Sequence, residues 1–254
     1  MQKVLTTILL AALGLYAAAC LLLFVRQRAL IYFPPAVAAF AVPDSTILHV
    51  PGAVLKVSER RMPGTRALLY LGGNAEDVSA SLPLLARAFP ERALFLLHYR
   101  SYAGSSGSPG EAALVADALA LFDRIAAGHQ DIVIVGRSLG SGIAVQVASR
   151  RKPGALVLVT PYDSLQELAV RQFPWFPVRW LLRDKYESWR HAPAVSAPTY
   201  IVAAQHDEII PAWSTALLLS RFGAGVARRT VIEGAGHNTI SDSPAYLAAL
   251  RLAD

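Results

Sequence analysis

The chain has 254 residues, 54% of them hydrophobic, which is enough for one large α/β domain around a buried sheet. Its 24 basic and 18 acidic residues give a net charge of +6, but the basic residues are dispersed, so no nucleic-acid partner is expected. The single cysteine, Cys20, excludes an intrachain disulfide, and the six histidines lack metal-ligand spacing, so no metal site is expected.

The N-terminal segment is strongly apolar. Residues 4–25 carry no charge, and as a helix of about 33 Å they could cross a hydrocarbon core of roughly 30 Å. We therefore interpret residues 1–28 as a single-pass membrane anchor and 29–254 as a globular domain. A cleaved signal peptide is the alternative, because Ala17-Ala18-Ala19 resembles a processing site and Cys20 stands where a lipoprotein cysteine would. Basic residues flank both ends of the segment, so the side of the membrane that holds the domain stays open.

After the anchor, short apolar runs alternate with helical patterns, which is typical of a mostly parallel, twisted sheet covered by helices. A hairpin is predicted over residues 47–57, with its turn at Pro51-Gly52. The further predicted strands are 67–71, 93–98, 131–135, 155–160, 199–203 and 229–232. Among the intervening helices, Glu111–Ala127 has the clearest apolar face, and Gly128 ends it.

One connection between predicted strands is unusually long for an α/β protein, and we interpret residues 162–197 as a lid insertion. It contains Trp175, Trp180 and Trp189 among several basic residues. Two interpretations stay open: the aromatic side chains pack on the core, or they bind acyl chains or the membrane surface. Trp175 and Trp180 are accordingly candidate substrate-binding residues.

The stretch Gly136-Arg137-Ser138-Leu139-Gly140 lies between an apolar strand and a helix, and two chemistries use such a turn. With Gly142, its glycines could cradle the phosphates of a dinucleotide, whereas the pattern G-x-S-x-G is that of a nucleophile elbow. A dinucleotide fold of the short-chain type would place this loop after the first strand and would need a Tyr-x-x-x-Lys pair. The chain has neither feature.

A nucleophile elbow requires an acid and then a histidine on loops after later strands. Asp207 and Glu208 follow the predicted strand 199–203, and His237 follows the last one. In this order His237 can accept the proton of Ser138 while the carboxylate orients the imidazole ring. We expect Asp207 to be the acid, because its side chain is shorter and nearer the strand end, with Glu208 as the alternative.

Acyl transfer also requires donors for the oxyanion of the tetrahedral intermediate. The N–H after the nucleophile belongs to Leu139. The strand 67–71 turns through Gly72-Gly73-Asn74, so we assign the second donor to the Asn74 N–H. A plain tight turn would have the same sequence.

The chain from about residue 27 onward resembles the α/β-hydrolase superfamily, and more narrowly its small membrane-anchored members related to serine aminopeptidase-like hydrolases and acyl-protein thioesterases. The matching stretches are RQRALIYFP, YLGGNAEDV, HYRSYAGSSGSPGE, GRSLGSGIAV, DEIIP and GAGHN. The resemblance implies Ser138 as nucleophile, Asp207 as acid and His237 as base, with the N–H groups of Leu139 and Asn74 as oxyanion hole.

The same resemblance implies a site-lining loop at Tyr99, Arg100 and Gly104, and we count Gly73, Tyr99 and Arg100 as substrate-binding candidates. Family members commonly carry His-Gly where this chain has Gly72-Gly73, and again where it has Ala203-Ala204. The absence of the first histidine predicts a looser oxyanion hole and a lower rate.

The expected function is that of a membrane-anchored serine hydrolase that cleaves carboxylic ester or thioester bonds through an acyl-enzyme on Ser138, without a cofactor. Its substrate could be a lipid or an S-acylated protein. A serine peptidase is an alternative, in which Asp184 or Glu187 would hold a substrate amino group. A catalytically weak binding module of the same fold is another, because a fold alone does not establish activity.

Overall fold

The computed structural model describes residues 1–35 and 45–254. The strands of this part of the chain are β1 (Ser45–Val50), β2 (Ala53–Arg60), β3 (Arg66–Leu71), β4 (Ala93–Leu97), β5 (Asp131–Arg137), β6 (Ala155–Val159), β7 (Thr199–His206) and β8 (Ala227–Gly236). The α-helices are α1 (Gln2–Ile31), α2 (Leu82–Ala88), α3 (Glu111–Ala126), α4 (Leu139–Ala148), α5 (Leu165–Gln172), α6 (Val178–Leu181), α7 (Ser188–His191), α8 (Ala212–Leu219) and α9 (Pro244–Arg251).

The described strands form one sheet in the order β1-β2-β4-β3-β5-β6-β7-β8. Neighbouring strands from β4 to β8 pair in parallel, whereas β1 and β2 form an antiparallel hairpin at one edge, and β2 joins β4 antiparallel. The hairpin and the other predicted strands are confirmed, as is the helix predicted at Glu111–Ala127. The fold is therefore the mostly parallel α/β sheet that the periodicity predicts.

The last two strands run further than their apolar runs predict. β7 continues to His206 and β8 to Gly236, and these two residues pair after an irregularity between Ala204 and His206. The extension brings the residues that follow each strand, Asp207 and His237, to the same point at the edge of the sheet.

The core lies on both faces of the sheet, because successive side chains of a strand point to opposite faces. In β3, Leu69 packs in one buried cluster with side chains of α3 and α4, whereas Leu68 and Tyr70 pack in a second cluster with side chains of α2 and α9. With both faces covered, the central parallel strands β3 to β6 read as nearly continuous apolar runs rather than alternating ones.

Helix α1 is long and apolar enough to cross a membrane, by length and composition. It continues to Ile31, beyond the predicted anchor boundary at residue 28. Its last turns contact the segment at 162–197: Gln27 is buried, and its side-chain amide donates to the Leu181 carbonyl at 3.2 Å. The C-terminal end of the helix is thus packed against the globular domain.

Candidate active site

Ser138 stands at the turn between β5 and α4, in a backbone conformation that L-residues rarely adopt. Its φ is +48° and its ψ is −116°. Such a strained conformation persists only where the surrounding structure imposes it, and it is the geometry of a nucleophile elbow. The turn therefore presents the Ser138 hydroxyl at the carboxyl edge of the sheet, where ligands bind in open α/β folds.

The glycines on either side of Ser138 are required by close packing. A Cβ at Gly140 would lie 2.0 Å from the Leu71 carbonyl oxygen, and one at Gly136 would lie 2.5 Å from the Ala144 Cβ. Both distances are far below contact distance, so the strand and the helix can cross here only without side chains. Gly142, which the dinucleotide interpretation grouped with them, instead makes room for Tyr162, whose hydroxyl would lie 2.3 Å from an added Cβ.

Ser138, His237 and Asp207 form one hydrogen-bonded chain. The Ser138 Oγ lies 2.9 Å from His237 Nε2, and His237 Nδ1 lies 2.9 Å and 3.0 Å from the two carboxylate oxygens of Asp207. The Asp207 carboxylate is held in turn by the backbone N–H groups of Ile209 and Ile210, at 3.0 Å and 2.7 Å. The imidazole ring is therefore fixed between a hydroxyl and an oriented carboxylate.

Glu208, the alternative acid, has a different contact. Its carboxylate accepts the backbone N–H of His237 at 3.0 Å and does not reach the imidazole ring. This hydrogen bond lowers the pKa of Glu208 from its ordinary value. Glu208 thus fastens the loop of His237, and Asp207 faces the ring.

The two N–H groups assigned to the oxyanion hole come from different elements. Leu139 is the first residue of α4, a position whose N–H has no acceptor within its own helix. Asn74 lies in the turn after β3, and both polar atoms of its side-chain amide form hydrogen bonds. Nδ2 donates to the Ile31 carbonyl at 2.7 Å, and Oδ1 accepts from the Tyr102 hydroxyl at 2.7 Å. Oδ1 also accepts the backbone N–H of Phe33 at 3.0 Å.

Gly73 lies beside Ser138, since an added Cβ would be 3.6 Å from the Ser138 Cβ. Its N–H is already engaged, donating to the Glu76 carboxylate at 2.6 Å. Glu76 also accepts the hydroxyls of Tyr70 and Ser81 at 2.7 Å and 2.6 Å. Sequence reasoning assigned no role to Glu76, although it stands three residues after Gly73 in a stretch used for the family resemblance.

The position of the missing family histidine, Gly72, has no room for a side chain, because a Cβ there would lie 2.5 Å from Val78 Cγ1. Two other contacts hold this turn: the Tyr99 hydroxyl donates to the Gly72 carbonyl at 2.9 Å, and the Glu76 carboxylate holds the next N–H. The loop is therefore fastened by residues other than a histidine, and the looser oxyanion hole stays a prediction.

A cavity of about 800 Å³ opens over Ser138. Ser138, Leu139, His237 and Asn74 line its floor. Its walls are mostly apolar and come from α1 and from the segment at 165–182. Gln27, Arg171 and Gln172 are polar members of these walls. A mostly apolar wall beside a few polar groups is typical of a site for an acyl chain.

Tyr99 and Arg100 are structural residues, which corrects the expectation that they line the site. Tyr99 is buried below the turn at Gly72, with its ring edge against Tyr102 at 5.6 Å between centroids. The Arg100 guanidinium forms two 2.8 Å hydrogen bonds with buried Asp117. A buried carboxylate requires such a partner, and this pairing keeps the Arg100 side chain out of the cavity.

Trp175 and Trp180 are also outside the cavity, contrary to their expected contact with an acyl chain. Their side chains are 83% and 88% exposed, and other residues of the same segment, Phe173 and Phe176, line the cavity instead. Trp175, Phe173 and Phe176 lie between α5 and α6, where no helical period indicates which side chains face the cavity.

Asp184 and Glu187, the acids that would hold the substrate amino group in a peptidase, pair with residues away from Ser138. Asp184 is buried and accepts from Arg28 Nε at 3.0 Å, the Tyr32 hydroxyl at 3.2 Å and the Glu111 N–H at 3.1 Å. Glu187 pairs with Arg190 at 3.0 Å. Neither lines the cavity over Ser138. Within residues 1–35 and 45–254, no group of three or more His, Cys, Asp or Glu side chains is arranged to hold a metal ion.

No family model matches the chain. An uncharacterized protein of Mycobacterium tuberculosis is 35% identical over 247 residues, covering 89% of this chain and 86% of that protein. The α/β hydrolase domain-containing protein aho-3 of Caenorhabditis elegans is 31% identical over 199 residues, covering 76% of this chain and 58% of its own length.

Among solved structures, the esterase Pf2001 of Pyrococcus furiosus superposes with a TM-score of 0.71 at 14% identity, over 87% of this chain and 98% of that one. At this identity the likeness concerns the fold. Together with the sheet order and the sequence relatives, it leads to one assignment: the chain belongs to the α/β-hydrolase superfamily.

Proposed function

We propose that this protein is a serine hydrolase that cleaves carboxylic ester or thioester bonds through an acyl-enzyme on Ser138. One observation carries the proposal: the Ser138 hydroxyl is hydrogen bonded to an imidazole whose other nitrogen is held by a carboxylate. This arrangement supplies a base at the nucleophile and keeps the ring in the tautomer that can accept its proton.

In the first half-reaction, the Ser138 Oγ attacks the carbonyl carbon while its proton passes to His237 Nε2. Asp207 stabilises the imidazolium that forms. The carbonyl oxygen becomes an oxyanion and accepts hydrogen bonds from the N–H groups of Leu139 and Asn74. When the tetrahedral intermediate collapses, the alcohol or thiol leaves with the proton from His237, and the acyl group stays on Ser138.

In the second half-reaction, a water molecule gives its proton to His237 and attacks the acyl-enzyme. A second tetrahedral intermediate forms at the same donors. Its collapse returns the proton to the Ser138 Oγ and releases the carboxylic acid. The cycle needs no cofactor, because both nucleophiles are activated by the same histidine.

Esters and thioesters fit the cavity better than peptides. An aminopeptidase would need an acid free to hold the substrate amino group. Asp184 and Glu187 are engaged elsewhere, and Glu208, which lines the cavity, already accepts the His237 backbone N–H. Apolar walls suit an acyl chain, which requires no polar partner.

We also propose that α1 is retained as a membrane anchor. Its apolar run is long enough to span a bilayer, and Tyr16, which precedes the candidate processing site, contacts the globular domain through Trp175. The intact mass of protein extracted from membranes tests this proposal: a full-length mass is expected, and a chain that begins at Cys20 with attached lipid would contradict it.

The proposed chemistry is tested by fluorophosphonate labelling of the detergent-solubilised protein, because only an activated hydroxyl reacts quickly. Ser138→Ala should abolish labelling, whereas Ser220→Ala, a change at an exposed serine, should leave it intact. Removal of a triad serine can lower turnover by a factor on the order of a million. Absence of labelling in the folded wild-type protein would instead favour a binding module.

A further inference from the structure

The anchor helix supplies one wall of the cavity over Ser138. Leu23, Phe24, Gln27, Leu30 and Ile31 line the cavity, and their spacing places them on one side of α1. They span about 12 Å of the helix, or about two turns. An acyl chain in this cavity would therefore lie against the helix that is proposed to cross the membrane.

This wall is fastened to the opposite side of the cavity by specific polar contacts. The Gln27 side chain is buried, donating to the Leu181 carbonyl at 3.2 Å and accepting the Arg183 N–H at 2.7 Å. The next residue of α1, Arg28, pairs with buried Asp184 at 3.0 Å. Buried polar groups with satisfied hydrogen bonds define one geometry, so α1 and the segment at 181–184 form a fixed pair.

The contact between α1 and the domain continues into the apolar run. Tyr16 stacks on Phe176 with 5.9 Å between ring centroids, and its hydroxyl donates to the Trp175 carbonyl at 2.9 Å. Tyr16 lies about 14 Å along the helix axis from Val25, where the apolar run ends. If α1 spans the bilayer, the segment around Trp175 lies beside it at the depth of the lipid acyl chains.

The surface of this segment suits such a location. Trp175 and Trp180 are almost fully exposed to solvent, and Phe173 is partly exposed. The Arg183 guanidinium lies over the Phe24 ring at 4.3 Å, close to the end of the apolar run, where lipid phosphates would be. An arginine at the end of the apolar run suits the membrane–water interface, and the exposed apolar rings of the tryptophans suit the leaflet below it.

We infer that α1 is part of the substrate site, and that the substrate is a membrane-partitioned long-chain acyl ester whose chain passes from the leaflet into the cavity between α1 and the segment at 173–182. The inference rests on the proposed hydrolase function. In this arrangement the acyl chain reaches Ser138 without crossing water, and the α1 side chains select its length.

The first test places a larger side chain on the α1 wall, so that it fills part of the cavity. Leu23→Trp should lower kcat/KM for a palmitoyl ester in vesicles by about tenfold or more, and by a clearly larger factor than kcat/KM for a soluble butyryl ester. Leu22→Trp is the matched control, because Leu22 lies on the exposed side of the same helix turn and should leave both values unchanged. Equal effects of the two variants would overturn the inference.

Fluorophosphonate labelling of each variant separates this inference from the proposed function. The probe reacts at Ser138 and needs no long chain, so labelling of Leu23→Trp at the wild-type rate shows that its catalytic site is intact. If the folded wild-type protein is not labelled, that result counts against the hydrolase function itself.

The second test needs no turnover. In vesicles of lipids brominated along the acyl chain, the wild-type tryptophan fluorescence should be quenched, and the Trp175→Phe/Trp180→Phe variant should lose most of the quenched component. Trp189 and Trp213 remain in both proteins as an internal reference. Equal quenching of the two proteins would show that the segment does not enter the leaflet, which would overturn entry by this route.

Discussion

The side chain of Asn74 donates to the backbone carbonyl of Ile31 at 2.7 Å, which links the loop after β3 to the last residue of α1. The Asn74 backbone N–H is the proposed second donor of the oxyanion hole. The position of this N–H therefore depends on the C-terminal end of α1, although the two residues are far apart in the sequence.

We expect Asn74→Ala to lower kcat by about tenfold to a hundredfold and to change KM little, because the backbone N–H remains but loses its fixed position. Steady-state kinetics on a soluble ester measures both constants. Tyr102→Phe, which removes one hydroxyl donor to Asn74 Oδ1 and leaves the bond to Ile31, should have a smaller effect. An unchanged kcat for Asn74→Ala would contradict a positioning role.

The two neighbouring acids should differ sharply in their effects. Asp207→Asn should lower kcat by about four orders of magnitude, because the amide cannot hold the imidazole in the tautomer that accepts the Ser138 proton. Glu208→Gln should cost about tenfold or less, since it changes only the contact with the His237 backbone N–H. Similar losses in the two variants would show that Glu208 shares the role of the acid.

Gly140→Ala should destabilise the protein by at least about 3 kcal/mol, because the new methyl would overlap the Leu71 carbonyl oxygen. Gly128→Ala is the control, since a Cβ there meets no atom within 4 Å. Urea unfolding in detergent compares the two. If Gly140→Ala is as stable as Gly128→Ala, the close crossing of β5 and α4 is wrong.

The pH dependence of stability should carry a contribution from His98. Burial lowers the pKa of His98 from 6.5 to about 4, opposed by nearby Asp77 and assisted by Lys56. Between these values the unfolded chain binds a proton that the folded protein does not, so stability falls as pH decreases from 6.5 towards 4, by at most about 3 kcal/mol.

Unfolding measured between pH 7 and pH 4.5 checks this contribution. His98→Gln keeps a polar group near Ser58, the hydrogen-bond partner of His98, but cannot titrate, so its stability should vary less over this range. A variant that loses stability with acid as steeply as the wild type would exclude His98 as the source.

Local patterns predicted much of this molecule. Apolar runs of strand length predicted the central strands β3 to β6, since a sheet covered on both faces buries successive side chains there. The pattern around Ser138 predicted a strand–turn–helix, because only glycine fits where β5 and α4 cross. The order of Ser138, Asp207 and His237 also predicted that the three residues meet, since each follows a strand and the carboxyl ends of parallel strands lie at the same edge of the sheet.

The tertiary structure decided which side chains converge. Asp207 rather than Glu208 faces the imidazole because β7 and β8 pair past their apolar runs, as far as His206 and Gly236. Arg100 is drawn to Asp117, and Trp180 lies on the outer surface, because charge pairing and the rotation of a short helix depend on neighbours that the local sequence does not contain.

The role of α1 is the clearest example of a feature that only the tertiary structure decided. As a sequence, residues 4–25 have the composition of a membrane span and nothing more. Whether such a helix is only a tether or also a wall of the cavity depends on contacts such as that of Gln27 with Leu181, which are 154 residues apart. Composition and periodicity act over a few turns, whereas a cavity is enclosed by long-range packing, and this is why the contribution of α1 to the cavity appears only in three dimensions.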